Sequence, residues 1–66
     1  MLINSLEHTK MFLRLTLLQE ELHHEQFARD CLIRTNDTKN LQEVDERISK
    51  IKEEIELILD SLDDSH

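Results

Sequence analysis

The sequence predicts an all-α protein, a two-helix antiparallel hairpin of coiled-coil type that completes a bundle with another chain. Three observations carry this. Leu41, Val44, Ile48, Ile51, Ile55, Ile58 and Leu62 repeat in unbroken three-four steps, the seam that keeps one stripe of a helix against a partner helix. The chain has no Gly and no Pro, so no strong breaker interrupts helical pattern anywhere. The segment Thr35-Asn36-Asp37-Thr38-Lys39-Asn40 is the one interior cluster of turn residues. A short connection between two long helices makes them antiparallel neighbours.

Helix 1 is expected over about 5–34, with Asn4 and Glu7 as its N-terminal cap pair. It carries two apolar stripes. Met11, Leu15, Leu18 and Leu22 line one face. Leu13, Leu17, Phe27, Ala28 and Cys31 lie on roughly the opposite side, with Leu6 nearby. One stripe suffices to meet helix 2, and the other then faces water unless another chain covers it. Helix rotation does not follow from spacing alone. Met11, Leu13, Leu15, Leu17, Leu18, Leu22, Phe27 and Cys31 are therefore all candidate partner-binding residues. The rival is a bent helix 1 whose two stripes serve one curved core.

The turn is expected at about 35–38. Asn36 is the residue most able to take a left-handed conformation in the absence of Gly. Either Asp37 or Asn40 could cap helix 2, the latter with Glu43 three residues on. Helix 2 is expected over about 38–62, with Leu41, Val44, Ile48, Ile51, Ile55, Ile58 and Leu62 as hairpin core and a frayed tail from Asp63. Ile at both seam positions favours more than two helices in parallel coiled coils. By analogy it fits four helices, from two hairpins or from one hairpin and a partner. The charge runs of helix 2 read as a solvated face, with Glu43–Arg47 and Glu46–Lys50 spaced for pairing along the helix.

Composition narrows the function. The chain has 66 residues, at most one domain, and is near the lower limit for a self-sufficient core. Cys31 is alone, so no internal disulfide adds stability, and oligomerisation or a dedicated partner is the expected source. Fifteen acids against eight Lys and Arg give a net charge of −7. Residues 37–66 hold ten acids and four bases and so carry −6 of it. Such a charge repels phosphate backbones and anionic lipid surfaces, and no Trp or Tyr offers a stacking platform. Neither nucleic-acid binding nor membrane insertion is expected. The apolar run Met11–Leu18 is broken by Arg14 and Thr16 and is too short to span a bilayer. The lone cysteine and the lack of a targeting segment predict a cytoplasmic protein.

No catalytic constellation is present. Glu20 with His23 and Glu21 with His24 repeat the Glu-x-x-His spacing of di-metal carboxylate bundles, and a dimer of hairpins would hold two copies. The plainer reading is a polar helix face, since the acids of helix 2 lie off its seam, and no metal or other cofactor is expected. Cys31 reads as a buried structural thiol. His23 and His24 stand about two turns from it, too far to activate a nucleophile.

The segments Arg29-Asp30-Cys31-Leu32-Ile33-Arg34, Thr35-Asn36-Asp37, Ile48-Ser49-Lys50-Ile51 and Glu54-Ile55-Glu56-Leu57-Ile58-Leu59 resemble the small E-type cochaperones of type III secretion needle subunits. Where that family often has a turn glycine and an aromatic opening helix 2, this chain has Thr35-Asn36 and Leu41. The resemblance covers about half the chain. It implies a helical hairpin that binds a helical-repeat chaperone and, with it, keeps a needle subunit unassembled. The expected function is thus protein–protein interaction, most concretely as a cytoplasmic cochaperone. The alternatives are a homodimeric four-helix bundle that regulates or inhibits another protein, and a Glu-x-x-His metal bundle.

Overall fold

A computed structural model describes residues 5–63 of the chain. It is all-α: α1 (Ser5–Arg34) and α2 (Thr38–Asp63) pack side by side as an antiparallel hairpin. The expected cap residue Asn4 and the tail after Asp63 lie outside the described residues. α2 runs one residue past the expected Leu62.

The turn forms without glycine. Asn36 takes the left-handed conformation, at φ 58°. This lets α1 close as a Schellman motif: the Asn36 amide donates to the Ile33 carbonyl at 3.2 Å and the Asp37 amide to the Leu32 carbonyl at 3.0 Å. The Thr35 hydroxyl donates to the carbonyls of Cys31 and Leu32, giving further partners to the last-turn oxygens. Asp37 then begins α2. Its carboxylate accepts the Asn40 amide at 3.3 Å and the Asn40 side-chain nitrogen at 2.7 Å, and its carbonyl accepts the Leu41 amide at 3.0 Å. Asp37 is therefore the N-cap, and Asn40 is the residue it caps. The Asn40–Glu43 capping box does not arise, because α2 starts three residues too early for it.

The interior is one seam. Leu18, Val44, Ile48 and Ile51 are buried. Met11, Leu15, Leu22 and Leu32 of α1, and Leu41, Ile55, Ile58 and Leu62 of α2, are half-buried around them. The α1 stripe does not stop at Leu22. It continues through Glu25, Arg29 and Leu32 in the same three-four steps. The two charged residues on it are answered across the hairpin. Arg47 Nε donates to both oxygens of Glu25, at 2.9 and 3.1 Å, and Arg29 Nε donates to Asp45 at 2.6 Å. Nearer the open end Arg14 donates to Glu54 at 2.8 Å. Residues 14, 25 and 29 thus meet 54, 47 and 45, an antiparallel order. Arg47 was expected to pair with Glu43 along its own helix. It reaches Glu25 instead, because position 47 flanks the seam. Partly exposed pairs of this kind contribute about 0–1 kcal/mol each, so they favour a register more than they stabilise the fold.

With four buried side chains among the described residues, none of them completely sealed, the core has little to spare. Ile51 is 5% exposed. Ile51→Asp removes its contacts, worth roughly 2–5 kcal/mol, and puts an unpaired charge in their place. That approaches the whole stability expected of so small a domain. The variant should lose most of its helical circular dichroism at room temperature. Melting like the parent would refute the seam.

Candidate functional site

Two stripes on α1 and one on α2 leave one stripe over, and the structure settles which. Met11, Leu15, Leu18 and Leu22 turn inward. Leu18 is 2% exposed and has no surface to present, so this stripe leaves the set of candidate partner contacts and belongs to the hairpin core. The other stripe is outside: Leu13, Leu17 and Phe27 are 60%, 59% and 71% exposed, and Cys31 is exposed with them. Ala28 is half-buried at the stripe's edge. Cys31 is thus a surface thiol, not a buried one, because it shares the outward face of Leu13 and Leu17.

At about 100° per residue, the outer stripe is centred roughly 140° round α1 from the inner one, nearly opposite α2. Its best-formed part is near the N-terminal end of the helix. Leu6, Thr9, Phe12, Leu13, Thr16 and Leu17 cover the outward arc there, all exposed, with the charged Lys10 at its edge. The Thr16 hydroxyl donates to the Phe12 carbonyl at 3.0 Å, so its hydrogen is used inside the helix and the arc becomes less polar. Phe12, at 56% exposure, is the residue the two-stripe reading missed. It lies between the stripes, where periodicity assigns it to neither.

The open end of the hairpin gathers most of the exposed apolar surface. Leu6, Phe12, Leu13 and Leu17 lie there on α1, and Leu57 and Leu59 on the neighbouring end of α2. Toward the turn the outer face of α1 becomes polar. Glu20, His23, His24 and Asp30 interrupt it, and Phe27 stands between them. Scattered exposed leucines need no explanation on a folded protein. A continuous apolar arc with only Lys10 at its edge does, because α2 packs on the other side of α1 and leaves this arc uncovered.

Glu20, Glu21, His23 and His24 are all exposed. Among the described residues no group of three or more His, Cys, Asp or Glu is arranged to hold a metal ion. The grooves beside the seam are shallow. One, of about 590 Å³ and mostly polar, is lined by Gln26, Arg29, Asp30, Asp45, Ser49 and Lys52 along with the edge of Ile48. Its salt bridge between Arg29 and Asp45 satisfies the charges within the hairpin. No helix among the described residues is long and apolar enough to cross a membrane.

The stripe assignment is tested by paired substitutions. Leu15→Gln with Leu18→Gln should unfold the hairpin, at roughly 2–5 kcal/mol for a buried leucine. Leu13→Gln with Leu17→Gln should leave helicity and melting temperature near those of the parent, since exposed positions change stability by about 0.5 kcal/mol or less. Circular dichroism melts of the two variants decide it, and unfolding by both would mean one internal core. No protein-family model, curated protein or solved structure compared with the chain matches it.

Proposed function

We propose that this protein is an interaction module that works by laying the outer face of α1 into an apolar groove of another protein. The observation that carries this reading is the exposed apolar arc from Leu6 to Leu17, with Lys10 at its edge, on the side of α1 away from α2. An amphipathic helix docks in a groove through anchors spaced three, four and seven residues apart. Leu6, Leu13 and Leu17 have that spacing, with Phe12 and Thr16 beside them. The inner stripe serves the hairpin, which presents the outer one on a scaffold already ordered before binding. That lowers the entropic cost of association compared with a free helix.

In its most concrete form the reading is a cochaperone. The resemblance to the E-type cochaperones of secretion needle subunits names a helical-repeat chaperone as the partner. The concave face of a helical repeat is a surface that takes a helix. A self-assembling helical cargo needs its apolar surface covered until export, and a chaperone completed by this hairpin would supply that cover. α2 presents its charged face outward, with Leu57 the one large apolar side chain between Glu53, Glu56 and Asp60. This suits it to keep the assembly soluble.

The test is affinity purification of the tagged protein from its native host beside the Leu13→Gln, Leu17→Gln variant, with mass spectrometry of what co-purifies. The reading predicts a helical-repeat chaperone and a small helical secretion subunit with the parent, both lost from the folded variant. Recovery of the same proteins with both, or of neither with the parent, contradicts it.

A further inference from the structure

We infer that the outer face of α1 also takes a second copy of this chain, antiparallel and about a two-fold axis level with position 15. The inference shares its surface with the proposed function but does not depend on that partner. It rests on charges placed on the outer seam. Leu6, Lys10, Leu13, Leu17, Glu20 and His24 follow one another in three-four steps on the face turned from α2, and all six are exposed. Among the described residues, neither Lys10 nor Glu20 has an ion-pair partner within the chain.

The positions are symmetric. Lys10 and Glu20 stand five residues either side of position 15, and Leu13 and Leu17 two either side. Two α1 helices crossing antiparallel at that level set Leu13 against the partner's Leu17, and Leu17 against the partner's Leu13. Lys10 then meets the partner's Glu20 at both ends of the leucine layers. A parallel pair would set Lys10 against its own copy and Glu20 against its own copy, two repulsions in place of two attractions. An antiparallel crossing shifted toward the turn would oppose Leu13 to His24 and Leu17 to Glu20. Charge and apolar pattern therefore select one register.

The nearest like charge across the axis is Arg14 beside its copy. Each is held by Glu54 of its own α2 at 2.8 Å, which neutralises it. The acidic helices favour the same arrangement. α1 carries five acids and four bases over Ser5–Arg34, while α2 carries eight acids and four bases over Thr38–Asp63. Contact through α1 makes a row in which the two α2 helices are outermost. At 8–10 Å per helix spacing they stand roughly 25–30 Å apart, well beyond the screening length of about 8 Å. A square four-helix bundle, with stripes of both helices turned to one centre, needs the two stripes of α1 about 90° apart, and at roughly 140° they stand closer to the arrangement of a row. The row buries the leucines of the free protein until a partner with a deeper groove displaces the second copy.

Sedimentation equilibrium of the full chain tests this with charge swaps. The parent should dimerise at micromolar concentrations. Lys10→Glu and Glu20→Lys should each weaken the dimer roughly tenfold, because symmetry turns two attractions into two repulsions. The double variant should return to near the parent's affinity. A monomeric parent, or a double variant as weak as the singles, overturns the inference. Disulfide trapping gives a second readout in a Cys31→Ser background. Lys10→Cys mixed with Glu20→Cys should cross-link, and either alone should cross-link poorly; the reverse result overturns the register. A protein that dimerises this way yet captures no partner contradicts the proposed function alone. One that captures a partner through Leu13 and Leu17 but stays monomeric contradicts this inference alone.

Discussion

α2 has one apolar stripe and α1 has two, and one helix can cover only one stripe of its neighbour. The rest of the structure depends on this mismatch. Leu18 packs inward among Val44, Ile48 and Ile51, and once that seam closes the rotation of α1 is set. Leu13 and Leu17 then face away from α2 by the geometry of a helix with 3.6 residues per turn. The same closure turns Cys31 outward, and it puts Glu25 and Arg29 where Arg47 and Asp45 can meet them.

The turn keeps the two helices in that relation. Asp37 belongs to both: its amide closes α1 on the Leu32 carbonyl, and its carboxylate caps α2 through Asn40. A single residue with both roles leaves little freedom for the helices to slide, since a shift would break one set of bonds. The left-handed Asn36 makes this possible in a chain without glycine, at the one position where a short polar side chain tolerates positive φ. The ion pairs Arg29–Asp45, Arg47–Glu25 and Arg14–Glu54 then mark the register from the turn toward the open end.

Much of this was legible in the sequence. The α2 seam was readable because nearly everything off it, Leu57 and Leu59 apart, is polar or charged, so one period dominates. Asn36 and Asp37 were readable because no glycine or proline competes with them for the turn. The rotation of α1 was not, because two stripes of similar strength on nearly opposite sides leave its periodicity without a preferred face. The charged continuation of its inner stripe hid for a related reason. Glu25 and Arg29 look like surface residues until their partners on α2 are known, and those partners are distant in sequence. Phe12 fell between stripes. The exposed stripe was therefore recognisable only as one of two alternatives, and nothing in the spacing singles out Leu13 and Leu17 as its centre.

The central claim is that one α1 stripe is sealed within the monomer and the other is not. Solvent paramagnetic relaxation of the leucine and isoleucine methyl groups measures this side chain by side chain, in protein dilute enough to be monomeric. The account predicts that Leu18, Ile48 and Ile51 are shielded from a soluble paramagnetic probe, while Leu13 and Leu17 relax as fully exposed methyls. Leu13 and Leu17 methyls as protected as those of Leu18 in the monomer would contradict it.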